Sequence, residues 1–409
     1  MPTGHKDLQY LQKLPRSPLL SYLCKQAQPA KPVSQRPSSG PTNFPALAAF
    51  ASTKLLRWIP EYVSHRIGWR HQFLTYPASD LRNGVYKLKE GTEETRVALA
   101  GDWASGTDEA AGVANHIAAF DAHYTIHLGD VYYVGDQDET GENFLGIPNP
   151  RNYYEPCRWP QGSLGSFALN GNHEMYALGK AYFDEMLPAL GVNKGGQPQG
   201  QGASFFCLEN EHWRIIALDT GYQSIGFPVV EYFWPPDCGV PAELLQWLRK
   251  IVKPDRRGTI ILSHHNYFSR YETAYPKQAI QLKEFFAAQP VLWFWGHEHR
   301  LMIYKEYQMG GGIRAIGRCI GHGGMPIGLP GEVKDAKCPV EFEDPRLYPN
   351  DENLTVGYNG YAALVLRGNE LEVRYVDVLG DTVFSEQWSA RDGTLIRSAS
   401  AVGIATSDR

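Results

Sequence analysis

Five apolar runs in the chain stop abruptly at polar residues. VALA runs into GDW at 101–103, YTIHL into GDVYY at 129–133, SFALN into GNHE at 171–174, TIIL into SHH at 263–265, and VLWFW into GHEH at 296–299. Continuous apolar runs of this length predict strands covered on both faces. In open α/β sheets ligands collect beyond the carboxyl ends of parallel strands, so the residues after each run are expected to point into one crevice. The interval from Asp102 to Asp130 fits a strand, helix, strand crossover. Within it TDEAAGVANHIAAF, 107–120, opens with a threonine cap and acidic residues and reads as a helix, as does PAELLQWLRKIV from 241. Both should cover sheet faces. From 361 to 388, YAALVLRGNELEVRYVDVLGDTVFSEQW alternates apolar and polar residues with turn signals at RGNE and LGD, which predicts a β-meander closing a second sheet. NKGGQPQGQG at 193–202 reads as a surface loop, and the Gly- and Pro-rich stretch from Gly310 to Asn350 as an excursion that rims the site.

The residues at the strand ends share one chemistry. Asp102 and Asp130 offer carboxylates, Asn172 an amide carbonyl, and His264, His297 and His299 imidazoles. Such an O/N set suits divalent or trivalent first-row metals. A carboxylate shared by two ions holds them roughly 3.5 to 4 Å apart, a spacing useful for in-line displacement at phosphorus. Asp130 is the natural bridge. His264 and His265 compete for one coordination site, and the first stands where the strand ends. Each motif alone is weak, because glycine beside a polar residue is ordinary turn chemistry. The five in this order carry the argument.

Together they resemble the calcineurin-like metallophosphoesterase superfamily, whose pattern runs Asp-x-His, Gly-Asp, Gly-Asn-His, His, Gly-His-x-His, over about residues 96–305. The histidine usual two places after the first aspartate is here Ala104, which has no donor atom. Tyr133 stands three residues after Asp130, as in the purple acid phosphatases, whose GDxxY tyrosine binds ferric iron. That branch usually carries glycine where this chain has Ala104. The resemblance implies a four-layer α/β/β/α sandwich of two mixed sheets. It further implies one metal held by Asp102, Asp130, Tyr133 and His299, and a second by Asp130, Asn172, His264 and His297. His173 would stay unligated as acid or phosphate donor, and His265, left without the coordination site, either faces the substrate or packs. A phenolate needs a strong Lewis acid beside it, which favours iron at the Tyr133 position, with iron, zinc or manganese as the second ion. The implied activity is binuclear hydrolysis of small phosphate esters, monoesters before di- or triesters, by a metal-held hydroxide attacking in line. Tyr132, Asn266, Arg300 and His322 read as supporting residues around this pocket. The protein serine/threonine phosphatases share GNHE but place arginines beside the second and third motifs. Here VYY follows Asp130 and Asn170 precedes Gly171, which lowers the rank of protein dephosphorylation. A non-catalytic binding protein is the rival class, and the filled donor positions argue against it.

Composition adds the frame. A formal charge of −5 over 409 residues, without a basic cluster, gives no indication of a nucleic-acid-binding surface, and none is expected. Six cysteines without CxxC spacing suit a reducing compartment, and with no signal-peptide pattern evident the expected location is the cytoplasm. No stretch reaches the ~18 apolar residues of a spanning helix. Residues 1–90 read as an N-terminal extension, with a Pro- and Ser-rich linker at 26–45 and an apolar helical segment at 45–69, interrupted by Pro60. That segment either packs on the catalytic domain or docks peripherally on a membrane or partner. The catalytic domain is expected at 91–395 and a tail at 396–409.

Overall fold

The computed structural model describes residues 68–403, apart from 78, 80–82, 90–93, 150–155, 226–237, 326–332 and 350–354. The linker at 26–45, and all but the last two residues of the apolar segment at 45–69, lie outside the described residues.

Each of the five apolar runs forms a strand: β1 (Thr95–Ala100), β2 (Tyr124–His127), β3 (Gly165–Ala168), β4 (Gly258–Ser263) and β5 (Val291–Trp295). Helix α1 (Asp108–Ala119) crosses from β1 to β2, and α2 (Ala242–Ile251) precedes β4. Thr107 caps α1 by accepting a hydrogen bond from the Ala110 amide at 3.1 Å, with Asp108 and Glu109 in the first turn, where the helix dipole favours acids.

The strands divide between two mixed sheets. In one, β1, β2 and β3 are parallel neighbours, and the meander joins β1 antiparallel through β6 (Gly360–Arg367), β7 (Glu370–Asp377), β8 (Thr382–Arg391) and β9 (Thr394–Val402). In the other, β4 and β5 pair in parallel between the strands Trp213–Ala217 and Ala315–Ile320. The apolar runs are continuous because both faces of each strand are covered. Along β5, Leu292 and Phe294 enter the core between the sheets, while Val291, Trp293 and Trp295 pack outward with Leu244 and Leu248 of α2. Along β1, Val97 and Leu99 face the central core, and Ala98 and Ala100 lie under Val113 and Ile117 of α1. The period of two thus produces helix, sheet, sheet, helix, the four-layer sandwich expected.

A buried ion pair also crosses the central core. Arg318, on the strand Ala315–Ile320, donates to both carboxylate oxygens of Glu386 on β8, at 2.7 and 2.6 Å, and Tyr375 of β7 donates to the same carboxylate at 2.8 Å. Arg318 and Glu386 are fully buried, so this fork clips sheet to sheet in a medium where an unpaired charge is costly.

Three boundaries differ from the expectations. The strand Val85–Lys87 pairs with Phe206–Glu209, so the sheet begins before residue 91. At the other end β9 carries its sheet to Val402, past residue 395, pairing with β8 in what had read as a tail. Gly191–Lys194 and Gln197–Pro198 form an edge hairpin in the expected loop, turning on Gly195 and Gly196 at φ +61° and +77°. Positive φ at both turn residues matches strand twist, and glycine adopts it without penalty. Among the described residues no helix is long and apolar enough to cross a membrane, and none of Cys157, Cys207, Cys238, Cys319 and Cys338 forms a disulfide.

Candidate metal centre

The turns after the strands from both sheets meet at one place. Asp102, Asp130 and Asn172 come from the β1 to β3 side, and His264, His297 and His299 from β4 and β5. Asp102, Asp130 and His297 hold φ at 57°, 75° and 66°, a left-handed backbone that costs non-glycine residues and survives where surroundings enforce it. Close approach does so here. A Cβ on Gly171 would overlap Asp130 Oδ1, and one on Gly296 would lie 2.6 Å from Asp102 Oδ2. The glycines beside the ligand positions therefore serve space as much as turn geometry.

The donor atoms converge. His264 is fully buried and its Nδ1 donates to the Leu128 carbonyl at 2.9 Å, which turns Nε2 toward Asn172 Oδ1 at 3.0 Å and Asp130 Oδ1 at 3.3 Å. His297 brings Nδ1 to 3.0 Å from the same Asn172 oxygen, while its backbone amide donates to Asp102 Oδ2 at 2.7 Å. Asn172 Nδ2 is taken up by the Tyr176 hydroxyl at 3.0 Å, so the amide presents oxygen inward. His299 Nε2 lies 3.4 Å from Asp102 Oδ1. Ligand atoms of Asp102, Asp130 and His264 all fall within 4.8 Å of one another, and so do those of His264, His265 and His297.

These atoms fit a cation. With His264 neutral and Nδ1 committed, its Nε2 lone pair faces the lone pairs of a carboxylate and an amide oxygen, an arrangement that needs a positive charge among them. In the metal-free chain that charge is a proton. Burial pushes the His264 pKa down, but the Asp130 carboxylate outweighs it and lifts the group to about 9. Burial likewise opposes ionisation of Asp130, yet His264 and His173 hold its pKa well below the ordinary value. His297, half-buried, is lowered to about 3 by desolvation and by the neighbouring His264 and stays neutral, as an imidazole ligand must.

His173 is half-buried, donates from Nδ1 to the Tyr133 carbonyl at 2.7 Å, and leaves Nε2 facing the site 3.8 Å from Asp130 Oδ2. His265 is buried, with its ring 4.7 Å from that of His297 and Nδ1 3.1 Å from Thr220 Oγ1. At the two tyrosines, the Tyr132 hydroxyl stands 2.8 Å from Asp102 Oδ1 and 2.7 Å from His299 Nε2, and the Tyr133 carbonyl accepts from His173 Nδ1 at 2.7 Å.

Two further residues carry weight that motif reading did not assign. Glu174, fully buried, accepts hydrogen bonds from the Asp130 amide at 3.1 Å and the Gly171 amide at 2.8 Å, tying two ligand turns together. Glu298, between the two histidines of the last motif, accepts from Ser269 at 2.6 Å and pairs with Arg300 at 2.9 Å, which steadies that turn. Both stand inside the motifs GNHE and GHEH, which was their only signal in the sequence.

Two helix-covered sheets thus bring a cluster of side chains able to hold a metal ion to their strand ends. The family model of the calcineurin-like phosphoesterases matches residues 95–301, just over half of the chain, and the chain belongs to that family. No curated protein matches the chain closely enough to count as a relative. Among solved structures it is similar to purple acid phosphatase PPD1 from yellow lupin (Lupinus luteus) seeds, at 13% identity and TM-score 0.46, covering 71% of this chain and 53% of that one. This chain thus spans about half the length of the lupin protein. It is also similar to GAP50, the anchor in the inner membrane complex of Plasmodium, at 14% identity and TM-score 0.48, covering 74% of this chain and 91% of that one. The structure of PhoD gives 14% identity and TM-score 0.45, covering 77% and 74%.

Proposed function

We propose that the chain hydrolyses small phosphate monoesters at a binuclear centre. Asp130, Asn172, His264 and His297 hold one ion, and Asp102, Asp130 and His299, with a tyrosine, hold the other. The observation that carries this reading is the convergence of donor atoms from both sheets: His264 Nε2 lies 3.0 Å from Asn172 Oδ1 and 3.3 Å from Asp130 Oδ1, and His297 Nδ1 lies 3.0 Å from the same Asn172 oxygen, an O/N set suited to a metal ion. When bound, the ions supply Lewis acidity and lower the pKa of water toward 7. The chain supplies the rest. Asp130 Oδ1 is held by the His173 amide at 3.0 Å, which fixes the bridging carboxylate. His173 Nδ1 is anchored on the Tyr133 carbonyl, so Nε2 is the nitrogen free to hold a proton at the leaving oxygen. His265, seated against Thr220, supports the His297 side of the pocket and lies at its substrate face. A tyrosine donor favours ferric iron in its half of the centre, with iron, zinc or manganese in the other.

The test is turnover of a chromogenic phosphate monoester by the purified full chain, beside a diester and a triester, with metal analysis and a visible spectrum of the same sample. Two ions per chain, a purple colour and fastest monoester turnover are expected. A colourless, fully active zinc or manganese enzyme overturns the ferric assignment alone. A chain that neither binds metal nor cleaves any ester overturns the binuclear reading.

A further inference from the structure

We infer that the phenolic oxygen of Tyr132, not that of Tyr133, is the aromatic ligand atom at the Asp102 and His299 end of the centre. This rests on the metal-centre reading above and departs from the three-residue spacing after the second aspartate that the purple acid phosphatase pattern implies. Tyr132 is buried, and every side-chain atom hydrogen-bonded to its hydroxyl belongs to a candidate ligand: Asp102 Oδ1 at 2.8 Å, Asp130 Oδ2 at 3.4 Å and His299 Nε2 at 2.7 Å.

The backbone explains why this residue reaches the site. Ala104 and Val131 form a parallel bridge, the Tyr132 amide donates to the Ala104 carbonyl at 3.0 Å, and the Tyr132 carbonyl accepts from Asn143 Nδ2 at 3.0 Å. Both main-chain groups of Tyr132 are thereby held. The residue that holds its amide is Ala104, the position where the superfamily pattern carries a histidine ligand and this chain carries a methyl group. The Ala104 side chain is buried in the apolar cluster on the helix side, and the backbone pairing at Ala104 carries Tyr132 to Asp102. The next residue contributes through its backbone, where the Tyr133 carbonyl receives His173 Nδ1 at 2.7 Å and orients that ring.

The experiment measures metal binding rather than turnover. The metal-free full chain, Tyr132→Phe and Tyr133→Phe are titrated with Mn²⁺ by calorimetry, then loaded with ferric iron for a visible spectrum. Thermal melting of each metal-free protein checks folding. Tyr132→Phe should bind one of two ions at least about tenfold more weakly, in line with the loss expected when ligand geometry is disrupted. It should also lose any tyrosinate colour, while Tyr133→Phe keeps both. Loss confined to Tyr133→Phe, or no loss in either variant, overturns the assignment and leaves the metal centre standing. A wild-type chain that binds no ion overturns the metal-centre reading itself, and Tyr132 with it. If Tyr132→Phe does not fold, 3-fluorotyrosine placed at 132 or at 133 keeps the hydroxyl and alters its donor strength. A changed Mn²⁺ affinity from position 132 alone supports the assignment, and from position 133 alone refutes it.

Discussion

Replacing Glu174 separates two accounts of what this buried acid does. One of its oxygens accepts from the Asp130 amide at 3.1 Å and from the Gly171 amide at 2.8 Å, and the residue is wholly shielded from water. Glu174→Ala leaves two buried N–H groups without an acceptor, at about 1–3 kcal/mol each. Two such groups sum to about 2–6 kcal/mol, and a water admitted to the new cavity restores part of this, so a net loss of about 2–4 kcal/mol is expected. Glu174→Gln retains an oxygen in the same place and should lose less than about 1.5 kcal/mol, as an isosteric change that keeps both hydrogen bonds. Urea unfolding of the metal-free chain measures both numbers, and manganese affinity reports whether the Asp130 and Asn172 turns have shifted. The alanine variant should be weakened in both assays and the glutamine variant in neither. Equal damage from the two substitutions would refute the argument, because charge rather than amide acceptance would then be the contribution of Glu174.

Other perturbations follow from the same geometry. Arg318→Met strands Glu386 between the sheets and should cost about 3–5 kcal/mol, whereas Arg318→Met with Glu386→Leu should recover most of it; urea midpoints decide, and an unrecovered double variant defeats the clip. His173→Ala should slow turnover of a poor-leaving-group ester by about 10²-fold or more and spare one whose leaving group needs no proton. Equal effects on both esters would remove His173 as proton donor. Asp219, fully buried, has its pKa raised from 3.8 to about 6 by burial, against hydrogen bonds that include the Tyr222 amide at 2.7 Å. A carboxyl raised on folding binds its proton more tightly in the native state, so its stabilising contribution is complete below pH 3.8 and lost as pH rises through about 6. The stability gap between wild type and Asp219→Asn should therefore move in favour of the variant over that window. A gap that stays constant across it would contradict this.

Much of this protein is written locally. A strand covered on both faces must be apolar at successive positions, so β1, β4 and β5 announce themselves as runs, and the donors placed just after them declare their chemistry by residue type. The meander was equally legible from its alternation. Its final strand, β9, was not, because most of its residues are exposed and only pairing with β8 holds it. Val85–Lys87 was missed for a related reason: three residues carry no period, and its partner lies more than a hundred positions away.

The centre shows the same division. Which residue types bind metal could be read from composition and order, since Asp, Asn and His at strand ends carry their donors wherever the chain takes them. Which atoms meet could not. Two tyrosines stand side by side in GDVYY, and residue type alone does not say which hydroxyl meets Asp102 and His299. Long-range pairing of the 131–132 segment with Ala104 decides between them, and the sheet-to-sheet packing that brings His264 and His297 against Asp130 and Asn172 decides the rest. Local pattern specifies period and chemistry, whereas facing direction across a cleft is a property of contacts between segments distant in the chain.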